Sequence, residues 1–103
     1  MFYVAEAIYH DPLPCSPQEL ADTLMPAHAA HVRAGAEKGM VLLGGPKAEE
    51  PGGFLILRSD SREELDHFLN ADPLVVHGVQ HFRVTPWKVF DTAPELGALG
   101  IGN

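Results

Sequence analysis

The chain has 103 residues, 46% of them apolar and 20% charged, with 14 acidic against 7 basic side chains and a formal net charge of -7. That length holds one domain with one modest core, and no apolar run approaches the roughly 20 residues that a bilayer crossing requires. The acidic balance, uninterrupted by any cluster of Lys or Arg, argues against nucleic acid and against an anionic membrane surface as partners.

The opening "MFYVAEAIYH" carries Glu6 in its middle and no basic region, so it reads as a first strand rather than a signal peptide, and the expected compartment is the cytoplasm. Phe2, Val4 and Ile8 alternate with Tyr3, Ala5, Ala7 and Tyr9. Both sets are largely apolar, as in a strand covered on both faces. The proline-rich "HDPLPCSPQEL" follows and holds Cys15, the chain's single cysteine. One cysteine excludes an intrachain disulfide and a zinc site of several thiolates, and in such a loop it reads as an ordinary thiol.

Ser16, Pro17 and Glu19 form a capping box that starts a helix running toward Lys38, with Gly39 placed to end it. Pro26 lies inside that run, so the helix either kinks there or divides in two. "MVLLGGPK" predicts a strand bent or bulged at Gly44 and Gly45, and "EEPGGF" a turn into a second apolar strand over 54–57. Ser61 and Glu64 make another capping box before a helix with Leu65, Phe68 and Leu69 at helical spacing. The last strand, over 79–90, sets Phe82 and Val84 against His81, Arg83 and Thr85.

Strand, helix, strand, strand, helix, strand is the ferredoxin-like βαββαβ order: an α+β fold with a four-stranded antiparallel sheet and two helices on one face. Strands apolar on both sides would leave a large exposed patch on the bare face, so a homodimer joined sheet to sheet is expected. The domain covers 1–90. The Gly-rich tail, 91–103, is expected to be mobile or to lay Leu96, Leu99 and Ile101 across the partner.

Two histidines in "MPAHAAHV" raise three possibilities. His28 and His31 at i and i+3 can share a metal, with His67, His77 or His81 as a third ligand, although no HExxH-like pattern supports it. One of them can be a general base if a carboxylate fixes its tautomer, and Asp72 in "NADPLVVHG" is the candidate, unless it serves only as a turn residue before Pro73. Or both are there for packing. If Pro26 resets the helix phase, His28 joins Val32 and Gly35 on the inward stripe and His31 drifts outward; His28 faces inward in either phase. "GGPK" lacks the spacing of a phosphate-binding loop. His81, Arg83 and Trp87 share one face of the last strand, where they line a pocket or form a polar edge.

Taken together, "MFYV", "MPAHAAHVRAGAEKGMVLLGGP" and "ADPLVVHGVQHFRVTPWKVF" resemble the YCII-related family over residues 1–90, with the Pro-Ala-His, Gly-Pro and Ala-Asp-Pro landmarks in order. The resemblance implies a dimeric α+β barrel and an active site made of one helix-borne histidine and one aspartate. Here those are His28 and Asp72, and His31 lies outside the pattern. Related folds include muconolactone isomerases, dehydrochlorinating enzymes and small monooxygenases. The expectation is therefore a lyase or isomerase, needing no metal or cofactor, that removes a proton beside a carbonyl of a small metabolite. Tyr3, His81 and Arg83 are the candidates to meet the substrate's oxygens. The alternative is a non-catalytic ligand-binding or accessory dimer in which the His-Asp pair is a buried structural link.

Overall fold

A computed structural model describes residues 1–99; Ile101 and the rest of the extreme tail lie outside the described residues. Strand β1 (Phe2–Tyr9) leads through the proline-rich loop to a short helix α1 (Pro17–Glu19), a π-helical turn (Leu20–Leu24) and helix α2 (Met25–Glu37). Strands β2 (Val41–Pro46) and β3 (Gly53–Arg58) form a hairpin. Helix α3 (Arg62–Asn70), a single turn α4 (Pro73–Val76) and strand β4 (Gln80–Trp87) complete the fold, and a 3-10 helix (Pro94–Leu99) follows. The sheet is antiparallel throughout in the order β2-β3-β1-β4, which is the ferredoxin-like arrangement.

Both helices start where the sequence predicts, each with the serine half of its capping box, while the Ser61 N–H itself goes to Ser59 Oγ. The Ser16 hydroxyl accepts the Glu19 N–H at 3.0 Å, and the Ser61 hydroxyl accepts that of Glu64 at 3.2 Å, satisfying amides that have no partner inside the helix. Between them, Pro26 produces neither a break nor a second helix start. Leu20, Leu24 and Met25 all keep helical dihedrals, and the Met25 N–H reaches back to the Leu20 carbonyl, five residues earlier. A proline ring collides with the carbonyl four residues before it in a regular α-helix; the wider π turn just ahead of Pro26 relieves that crowding.

Downstream, His28 and Val32 are half-buried and Gly35 is fully buried, as the reset phase expects, but His31 is also half-buried, against α3, rather than turned outward. At Gly35 the helix approaches α3 so closely that a Cβ would lie 2.5 Å from Phe68 Cζ and 3.0 Å from Val41. A residue with no side chain is what allows that contact.

Alternation along the strands divides the sheet into two faces. Tyr3, Ala5 and Ala7 of β1 and Leu55 and Leu57 of β3 are buried beneath the helices, where all but Ala7 pack with Leu65 and Leu69. A smaller cluster of Leu24, Leu74 and Val79, with Tyr9, Leu13 and Cys15 against it, closes the end of the sheet near α4. The other face carries no helix, and on it or at its edges Leu43, Phe54 and Trp87 stay 59%, 47% and 44% exposed. The irregularity of β2 falls earlier than expected: the register shifts between Val41 and Leu43, whereas Gly44 and Gly45 pair regularly with Leu55 and Phe54. Among the described residues no helix is long and apolar enough to cross a membrane.

Replacing Gly35 by leucine forces α2 away from Phe68. The expected cost is about 1–3 kcal/mol, read as a lowered denaturant midpoint with helical circular dichroism retained.

Candidate active site

Asp72 ends the link from α3 and caps α4, its Oδ1 accepting the Leu74 N–H at 2.9 Å. Its backbone carbonyl receives the N–H groups of Val75 and Val76, both at 2.9 Å. Leu74, buried in the smaller cluster, fastens this turn to the body of the protein. The carboxylate is only 1% exposed, and it points at α2, where His28 Nδ1 lies 2.9 Å from Oδ1 and 2.7 Å from Oδ2.

A carboxylate offers only acceptors, so the shared proton belongs to His28 Nδ1 and the imidazole's lone pair is at Nε2. Nε2 makes no hydrogen bond among the described residues, and the ring lines a cavity of about 590 Å³ between α2 and the sheet. That volume suits a small metabolite. The roof carries His28, Met25 and Val32, the floor Tyr9, Gln80 and Phe82, and the glycine-rich end of β2 forms a side wall. A histidine oriented by a buried carboxylate, with its second nitrogen free beside a hollow, is competent to accept a proton from a bound molecule.

A model of the YCII-related domain matches residues 1–88. The chain belongs to the YCII-related family. Among solved structures it is similar to 5-chloro-2-hydroxyhydroquinone dehydrochlorinase (TftG) from Burkholderia phenoliruptrix in complex with 2,5-dihydroxybenzoquinone. The two are 23% identical with a TM-score of 0.63, over 86% of this chain and 95% of that one. At that identity the likeness establishes the fold. No curated protein matches the sequence.

In this YCII-related chain the two histidines of the α2 sequence have separate surroundings. His31 Nε2 donates to the Phe68 carbonyl at 2.7 Å, and its ring stacks on Phe68 with centroids 4.4 Å apart. It clamps α2 to α3 and stays away from the His28–Asp72 pair. Among the described residues no group of three or more His, Cys, Asp or Glu side chains is placed to hold a metal ion.

Three residues expected to meet a substrate lie elsewhere. Tyr3 shares the helix-covered face with Tyr9, but three strand pairs away; it is 7% exposed in the main core, with the Arg62 guanidinium 5.6 Å above its ring. His81 and Arg83 alternate away from Phe82 and so point to the bare face. There His81 Nδ1 lies 2.8 Å from His10 Nε2, and Arg83 pairs with Glu6. The Glu6 carboxyl, held first by its bond to Lys47 and then by Arg83, sits below its ordinary value of 4.5.

In their place the cavity is lined by Tyr9 and Gln80, which are direct cross-strand partners on β1 and β4. Extending the alternation of Phe82 and Val84 back by two positions identifies Gln80, and extending that of Ala5 and Ala7 forward identifies Tyr9. Burial pushes the Tyr9 phenol above its ordinary value of 10.0, and the negative charges of Asp72 and Cys15 add to the shift.

Two outcomes follow for this site. Asp72→Ala removes both the α4 cap and the His28 partner, and the expected loss of stability is about 2–4 kcal/mol by chemical denaturation, with Asp72→Asn losing less. In a Tyr3→Phe background, ultraviolet titration should find Tyr9 ionising above 10, and Asp72→Asn should bring that midpoint down. Because the folded-state value is raised, Tyr9's contribution to stability is complete below about pH 10 and is lost as pH climbs through the shifted value.

Proposed function

We propose that this chain is a lyase or isomerase that takes a proton from carbon next to a carbonyl in a small cyclic compound. His28 Nε2 is the base, and Asp72 is the positioning residue that fixes the tautomer and balances the imidazolium as it forms. The observation that carries this reading is the arrangement of His28, bonded through Nδ1 to a carboxylate buried to 1% exposure while its ring borders the cavity. The pair needs no metal or organic cofactor for such a step. The likeness in fold to a dehydrochlorinase crystallised with a dihydroxyquinone supports an oxygenated ring as the substrate class.

A structural role for the pair is separated from a catalytic one by proton exchange. In deuterated buffer, wild type should exchange ring or α-carbon hydrogens of a hydroxylated quinone or unsaturated lactone, followed by proton NMR. His28→Gln should slow that exchange by about 10²–10⁴-fold while keeping its fold. Equal exchange rates in the two proteins would leave only the structural role.

We also propose that the bare sheet face joins two copies of the chain. Phe2, Val4, Ile8 and Ile56 are half-buried there and Phe54 is exposed, an apolar surface around the charged Glu6, Lys47 and Arg83. Light scattering at micromolar concentration should give twice the chain mass. Val4→Glu, which introduces a charge at the centre of that face, should return it to a monomer.

A further inference from the structure

We propose that Gln80 is the anchor for a substrate oxygen, so that the cavity selects planar rings bearing a carbonyl or ionised hydroxyl beside the carbon that His28 attacks. This rests on the proton-abstraction reading above and adds the hydrogen-bond donor for the oxygen that receives the displaced electrons.

Gln80 is the only side chain among the described residues with a sealed polar atom that has no hydrogen-bond partner: its Nε2. The residue is 2% exposed, yet it borders the cavity. A buried amide without a partner is costly, and an apolar residue of similar shape removes that cost. Here the position stands between Val79, which is fully buried, and Phe82, which packs against the main core. Neighbours of that kind favour methionine or leucine over glutamine unless the amide serves something that arrives from outside. Rotation about the terminal torsion exchanges nitrogen and oxygen, so the amide can present its N–H to the hollow.

Tyr9 supplies a second donor at the same place. It is the cross-strand partner of Gln80, and its hydroxyl reaches only the Met25 sulfur, at 3.5 Å, a weak acceptor that a ligand oxygen easily displaces. Two donors therefore lie side by side on the sheet, with the base on the helix above. When His28 Nε2 takes the proton, the C–H bond breaks and an N–H bond forms. Its electron pair becomes the C=C bond of an enolate, and the charge moves to the oxygen. Donors aimed at that oxygen stabilise the charge where it develops. The rest of the lining, including Met25, Val32, Leu55 and Phe82, is apolar and suits the faces of a ring.

The test measures 2,5-dihydroxybenzoquinone binding by calorimetry to wild type, Gln80→Met, Tyr9→Phe and His28→Ala, with toluene as an oxygen-free ring of similar size. Gln80→Met should weaken the quinone at least about 10-fold and leave toluene unaffected. Without ligand, its thermal midpoint should rise by roughly 4 °C or more. Tyr9→Phe should weaken the quinone less. Unchanged quinone affinity in Gln80→Met, or a lower midpoint that marks the amide as internal support, overturns the proposal. If His28→Ala retains proton exchange while Gln80→Met loses the quinone, the base assignment falls and the anchor stands. If wild type binds neither the quinone nor any carbonyl ring tried beside it, both fall.

Discussion

The bond between His28 and Asp72 ties together parts of the chain that are 44 positions apart. It depends on Asp72 being held before it meets the imidazole. The carboxylate is fixed by the α4 amide it caps, by the backbone turn it begins and by Leu74 in the adjoining cluster. A buried carboxylate is tolerable only when its acceptors are filled, and here both oxygens share the His28 Nδ1–H while Oδ1 also accepts the Leu74 N–H. The same contacts that make burial acceptable set the direction of the imidazole, so structural support and chemical orientation are one feature.

Around that bond the two layers divide the work. The helix layer presents His28, positioned by the π turn ahead of Pro26 and by the close approach at Gly35. The sheet provides the surface beneath it, with Tyr9 and Gln80 opposite one another in register. His31 and Phe68 lock α2 to α3 through a hydrogen bond and a stacked pair. That lock holds the roof at a fixed height above the floor, and a proton transfer between a helix-borne base and a ligand on the sheet needs that constancy.

Element order and both helix starts were legible in the sequence because capping boxes and strand alternation are local signals. The inward direction of His28 was legible too, since it holds under either helix phase. Its bond to Asp72 was not derivable from spacing, which leaves Asp72 either a partner or a turn residue; the family resemblance singles out the pair, and the structure brings the two groups together. The π turn is not legible in the sequence: Pro26 signals a kink or a break, while a third solution, a locally wider helix, leaves no sequence mark of its own. The oxygen-binding candidates lie away from the cavity for a simpler reason. His81 and Arg83 are conspicuous residues, but odd positions of β4 face away from the helices; the same alternation leads to Gln80, an uncharged side chain in an apolar run.

Gly44 pairs with Leu55 on the cavity side of the hairpin, and a Cβ there would lie 2.6 Å from Leu55 Cδ2. The hollow thus owes part of its width to a missing side chain on β2, the outermost strand of its edge. Any bulk at that position would push Leu55 inward and narrow the space without touching the imidazole or its carboxylate. The His28–Asp72 pair belongs to a helix and a capped turn, and this wall of the cavity to a peripheral strand. A lineage built on this scaffold can therefore change the width of the hollow through β2 while the His28–Asp72 pair stays as it is.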